Sequence, residues 1–264
     1  MVNMSFFSFP LNLMLFLIWA VSMGMVWKYG RKSFFVRFML SPAATISSIA
    51  LLLITCLVIG LTGYRWITGT WAFALLLLYF QTVLVFVILR GWRRHPDAEG
   101  QAGKVRWRFV LLHAGILLAV ASAFWGAPDT QELRLQAYRD VPVREAYHMD
   151  GRTEWLPYEI RLDGFSVTEG PDGVPSDYEA RLTVGEEAVV LKVNHPFNIR
   201  FGEDLYLSGY DTASRGYCIL QIVREPWRYG ALAGIIMMLS GAVLLFIGGP
   251  ERKPSDKDVQ DVVG

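Results

Sequence analysis

Residues 107–125 read WRFVLLHAGILLAVASAFW, a run bounded by Trp107 and Trp125 and long enough to cross the ~30 Å hydrocarbon core of a bilayer. Beyond Arg108 its only ionisable side chain is His113, six residues in. An ionisable group at membrane depth is expensive and by default marks a functional site with a partner. The same stretch leads into a polar segment, residues 126–227, whose pattern changes from helical to strand-like. The pairing predicts a membrane helix carrying an imidazole, joined to a folded domain outside the bilayer.

Composition agrees with a membrane class. Hydrophobic residues make up 53% of the 264 residues, and mean hydropathy is +0.33, too apolar for an ordinary soluble chain of this length. Five spans are predicted: Leu11–Trp27, Ala44–Gly63, Trp71–Leu89 and Trp107–Trp125 within a membrane domain at 1–125, and a fifth at 228–249, apolar from Tyr229 to Gly248. The first lacks a basic leader and a clear small-residue cleavage site, so it reads as a retained span and not a signal peptide. Residues 250–264 are charged and almost without apolar period, and read as a disordered tail.

Lys28, Arg31, Lys32 and Arg37 follow the first span, and Arg90, Arg93, Arg94, Lys104, Arg106 and Arg108 cluster between the third and fourth. The loop between spans two and three has Arg65 alone. The positive-inside rule therefore puts the N-terminus and residues 126–227 outside the inner (cytoplasmic) membrane and the C-terminal tail in the cytoplasm. Trp66, Trp71, Trp92, Trp107, Trp125 and Trp227 fall near span ends, where indoles favour the interface. A net charge of +1 gives no electrostatic case for nucleic acid as a partner.

The external segment alternates with period two in Leu133–Tyr138, Tyr158–Phe165, Tyr178–Val184, Val189–Val193, Leu205–Ser208 and Ile219–Val223. Asp150-Gly151, Gly170-Pro171-Asp172-Gly173, Gly185, His195-Pro196 and Gly202 supply turns between them. Six short strands so punctuated predict an all-β, sandwich-like domain or small barrel. Cys56 in a span and Cys218 in the β segment are expected not to pair, and no CxxC motif suggests thiol exchange.

An ordered set of motifs in the β segment carries a family likeness. Leu156-Pro157-Tyr158-Glu159-Ile160-Arg161-Leu162-Asp163-Gly164-Phe165 is followed by Pro175-Ser176-Asp177-Tyr178, by Val193-Asn194-His195-Pro196-Phe197, and by Leu205-Tyr206-Leu207-Ser208-Gly209-Tyr210. Glu225-Pro226 and a Gly-rich last span close the series. Residues 105–250 thereby resemble the ResB-like cytochrome c biogenesis proteins. Two departures stand out: a fourth span before the domain where that family has three, and Leu207 where it has glutamine.

The resemblance implies a subunit of a membrane complex that exports haem b and attaches it to apocytochrome c outside the membrane. It also implies that a membrane histidine just before the domain is an axial haem ligand, a position matched by His113. No tryptophan-rich haem-handling motif occurs in this sequence, so the resemblance further implies a separate tryptophan-rich partner subunit. No nucleophile or acid–base pair stands out, which makes the chain a scaffold and haem-ligating subunit of a haem lyase complex more than a complete enzyme.

The residues themselves leave simpler readings open. His113 could only hydrogen-bond a neighbouring helix, a contact on the order of 1 kcal/mol. Gly115, Ala119 and Ala123 allow close helix packing on a face about 200° around from His113, at ~100° per residue. His195 before Pro196 most simply fixes a turn, with a transient haem contact as the alternative. His148 and His95 read as surface residues, and Met237-Met238 as packing. Two non-haem classes also fit: an envelope assembly adaptor that uses the β domain to bind a partner, and a membrane sensor.

Overall fold

The computed structural model describes residues 4–92, 107–169, 175–211 and 216–248. The basic cluster at Arg93, Arg94, Lys104 and Arg106 and the tail at 250–264 lie outside them. The chain divides into two compact units, residues 1–125 with 230–264, and residues 126–229.

The first unit is helical: α1 (Leu11–Tyr29), α2 (Phe34–Met39), α3 (Pro42–Thr62), α4 (Trp71–Gly91), α5 (Trp107–Gly126) and α6 (Arg228–Gly248). All but α2 are long and apolar enough to cross a membrane, so the five expected spans are present, each within a few residues of its predicted limits. Local chemistry sets their ends. Ser41 Oγ accepts from the Ala44 N–H at 3.2 Å with Pro42 behind it, and Thr70 Oγ1 accepts from the Phe73 N–H at 3.2 Å. Each hydroxyl satisfies a backbone donor that the first helical turn leaves without a partner. α3 stops at Gly63 in the left-handed region, φ 69°. The short α2, not anticipated from sequence, folds Val36 and Met39 against Ala44, Val83 and Phe86.

α5 and α6 approach through small residues. A Cβ added at Gly234 would lie 2.5 Å from Ala119 N and 2.7 Å from Gly115 O; one added at Gly115 would lie 2.6 Å from Gly234 O and from Met238 N. Gly230 against Ser122 and Gly241 against Leu112 extend the contact along both helices. Backbone atoms cannot yield as a side chain can, so Gly234→Leu is expected to separate the pair and sharply lower the thermal midpoint of the detergent-solubilised protein. Gly60→Ala, with nothing within 4 Å of the added methyl, serves as the control and should leave that midpoint unchanged; equal midpoints for both variants would refute the close packing.

The second unit is one antiparallel sheet: β1 (Gln131–Tyr138), β2 (Val143–His148), β3 (Thr153–Glu169), β4 (Pro175–Val184), β5 (Glu187–Lys192), β6 (Phe197–Arg200), β7 (Glu203–Tyr210) and β8 (Tyr217–Arg224). Their order is β5-β4-β3-β2-β1-β8-β7-β6. Eight strands replace the expected six, and a single sheet replaces the expected sandwich. The long β3 pairs β2 through its first half and β4 through its second, changing partner at Ile160, with a bulge between Leu162 and Gly164. Bulges bend a strand and increase its twist, and the sheet coils until β5 touches β7. Leu133, Leu135, Ile160, Leu162, Leu182, Leu191, Leu205, Leu220 and Ile222 fill the inside, each no more than 1% exposed. Both cysteines are free thiols, and burial pushes that of Cys218 up to about 12.

Candidate functional site

α5 presents His113 by a local bond. Its Nδ1 lies 2.8 Å from the Phe109 carbonyl oxygen, one helical turn back. A carbonyl can only accept, so Nδ1 carries the hydrogen, and in the neutral ring the lone pair is on Nε2. The imidazole also lies over the Phe109 ring, centroids 4.0 Å apart and planes 30° from parallel. Phe109 packs on Gly91 of α4, so closely that a Cβ there would fall 2.0 Å from its Cε1. A glycine in α4 thus lets Phe109 lie flat, and Phe109 in turn fixes the histidine's rotamer and tautomer. On the other side of α5, Gly115, Ala119 and Ser122 face α6. The packing face and the imidazole are separated around the helix as the spacing predicts.

Among the described residues no three His, Cys, Asp or Glu side chains converge to hold a metal ion. A lone, pre-oriented imidazole nitrogen suits a metal that brings its own equatorial donors. Iron in a porphyrin needs the protein only for axial ligands, so the residues present fit haem better than a bare cation.

A polar cluster within the helical unit escaped the sequence reading. Trp125 Nε1 donates to Gln81 Oε1 at 3.2 Å, Asn12 Nδ2 donates to the Trp125 carbonyl at 2.8 Å, and Trp19 Nε1 approaches Thr82 Oγ1 at 3.4 Å. Phe16, Trp19 and Trp125 form an aromatic wall beside it, with centroids 5.8–6.1 Å apart. Gln81 is fully buried, and its Nε2 has no partner among the described residues. A lone amide in the middle of an apolar span was the available signal, since polar side chains there face the bundle interior.

His195 belongs to the other unit. It is exposed and closes a turn in which its N–H donates to Lys192 O at 3.1 Å, with Asn194 at φ 60°. The turn-forming role expected from Asn194-His195-Pro196 is therefore present. His148, expected at the surface, is partly buried, and its Nε2 pairs with Glu154 at 3.0 Å.

That pair opens onto a charged rim where the chain enters and leaves the β unit. Glu203, 2% exposed, accepts from Arg200 at 2.7 Å, from Arg224 at 3.0 Å and from the Tyr158 hydroxyl. Arg224 also reaches Glu154 and Gln131, while Asp204 takes Asn198 at 2.8 Å and the Arg228 guanidinium. Burial alone would raise the Glu203 carboxyl, but the Tyr158 and Arg200 hydrogen bonds and the nearby arginine charges outweigh it and hold the group below its usual range. Burial, and then the bond to Glu203, raise the Tyr158 hydroxyl, which stays a donor. The rim reads as structural: every member is answered by another.

Comparison with known proteins bears on residues beyond the histidine. Residues 99–225 match the model of the ResB-like family. Over 150 residues the chain is 28% identical to a protein described as "Cytochrome c biogenesis protein CcsB" from Synechococcus sp. (strain WH7803), a match covering 52% of this chain and 32% of the relative. Among solved structures, "Cytochrome c Heme Lyase CcmF" aligns with 74% of this chain and 33% of its own length, at 14% identity and a TM-score of 0.41. The chain thus spans about a third of the length of each, and the structural likeness is too loose to argue from.

Proposed function

Since residues 99–225 belong to the ResB-like family of cytochrome c biogenesis proteins, we propose that this chain is a membrane subunit of the machinery that matures c-type cytochromes. In this reading the five long helices span the cytoplasmic membrane, with residues 126–227 outside and the basic loop and C-terminal tail inside. The cargo is haem b, and the observation that carries the assignment is the fixed tautomer of His113. Its Nδ1–H is tied to Phe109 O, so Nε2 is the nitrogen offered to iron as one axial ligand.

The chain's own residues supply orientation. A ligating histidine usually donates its other ring N–H to a carbonyl or carboxylate, which sets ring orientation and raises basicity. Here a backbone carbonyl does so without any further side chain. Phe109 covers one face of the imidazole, and its apolar surroundings favour the neutral, ligating form. The remaining axial ligand, and the chemistry that joins haem vinyl groups to apocytochrome cysteines, belong to a tryptophan-rich partner subunit. His195 enters as an external imidazole able to touch the cargo or the apocytochrome in passing.

Deleting the coding sequence in its host is expected to abolish covalently bound haem in membrane and secreted c-type cytochromes, read as peroxidase-active bands on denaturing gels. Haem that is not covalently attached, as in b-type cytochromes, should be unchanged. Normal c-type bands in the deletion strain would refute the function outright and favour the adaptor reading.

A further inference from the structure

The β6–β7 turn carries a side chain that the β unit does not use. Phe201 is 71% exposed, although the turn beneath it is tightly held. Gly202 has φ +70° and packs so close that a Cβ would lie 2.6 Å from Pro226 Cα, and the Glu225 N–H donates to Gly202 O at 2.7 Å. The tip is therefore clamped to the segment that runs into α6. Phe201 stacks on Tyr229, centroids 4.7 Å apart and planes 24° from parallel, and Tyr229 lies in the first turn of that helix.

Tyr229 also begins a stripe. Tyr229, Leu232, Ile236, Leu239 and Val243 recur at helical spacing and are all exposed. The glycines that meet α5, Gly230, Gly234 and Gly241, fall on the opposite side at ~100° per residue. One side of α6 is thus committed to protein, and the other is an apolar band continued by Phe201 beyond the helix end.

We propose that the β6–β7 tip is a membrane-seating element: Phe201 lies in the headgroup–acyl boundary of the bilayer, extending the lipid-facing stripe of α6. The occupant is lipid because the surface is continuous with that of an apolar span, and aromatic side chains at a span end favour this layer. The inference rests on the reading that α6 crosses the membrane. It gives the β domain a second, non-covalent attachment to the bilayer beside its two chain connections.

The test uses the full chain in a Cys56→Ala background, since Cys218 is fully buried. Nitroxide labels are placed one at a time at Phe201→Cys, at Leu239→Cys within α6, and at Val190→Cys on the exposed side of β5, in vesicles of phosphatidylcholine and phosphatidylglycerol. Collision rates with oxygen and with a water-soluble nickel chelate are then compared. The expected oxygen-to-nickel ratio at 201 is several-fold that at 190 and below that at 239. A ratio at 201 equal to that at 190 would put the tip in water and overturn the proposal. Low rates with both reagents would mean a protein partner covers it, which also overturns it. A water-like ratio at 239 would instead overturn the spanning reading of α6, and the seating element with it.

Discussion

Purified together with its partner subunit, His113→Ala is expected to lose more than about nine-tenths of the haem absorbance of the wild-type complex at equal protein. Removing even a group that only orients a metal ligand lowers affinity about 10–100-fold, and here the ligand itself is deleted. Because Nδ1 is bonded within its own helix, the substitution removes no tie between helices, and the complex should remain assembled. Added imidazole should restore part of the absorbance by occupying the vacated position. His195→Ala, at an exposed turn in the other unit, should retain haem. An undiminished Soret band in an intact His113→Ala complex would sink the ligand assignment.

The second large effect concerns the charged rim. Glu203→Ala strands Arg224, whose side chain is 16% exposed, and also strips Tyr158 and Arg200 of their acceptor. Removing one partner of a buried pair costs about 3–5 kcal/mol because a charge is left uncompensated. In a domain of this size that lowers the unfolding midpoint by more than about 10 °C, readable as cleavage within residues 126–229 during pulse proteolysis of the solubilised chain. A companion effect follows with pH. The folded carboxyl is held below its usual value, so its contribution is present above the unfolded pKa of about 4.3 and is lost as pH falls through the folded value. Wild type should therefore weaken in acid, and Glu203→Gln, less stable at neutral pH, should weaken less steeply. Parallel acid limbs in the two proteins would assign the pH response elsewhere.

The helical unit was legible because a membrane span announces itself by length and uniform apolarity, whatever it packs against. α2 was not legible, since six residues offer too little period and Phe34–Met39 is helical through its Ser33 cap and its packing on α3 and α4. In the β unit, β1 and β8 alternate cleanly because one face of each fills the core. β2 was hidden by the irregular register between Val143 and Glu145, which breaks the period of two, and β6 by having four residues at a sheet edge. Two sheets were expected because sequence alternation shows which face is buried but not what lies across from it. Here the sheet's own far strands lie across from it.

His113 stood out because its cost in a bilayer is intrinsic to the side chain. Phe109 and Gly91 did not, because their role is relational: a flat ring beside an imidazole and a missing Cβ beneath it appear only when α4 and α5 meet. Gln81 is the intermediate case, an amide whose burial could be anticipated from its span but whose bond to Trp125 could not.

The strands that continue α5 and α6, β1 and β8, are neighbours along their whole length, paired from Gln131↔Arg224 to Tyr138↔Tyr217. Both helices join the ladder at the same end, the end where Arg224 holds Gln131, Glu154 and Glu203. Mechanically this is a zipper with its slider locked. A load drawing the two helix ends apart reaches the ladder one rung at a time, beginning at the most heavily bonded rung. The β unit therefore works as a clasp on the α5–α6 pair, holding their outer ends together while the glycine faces hold their lengths.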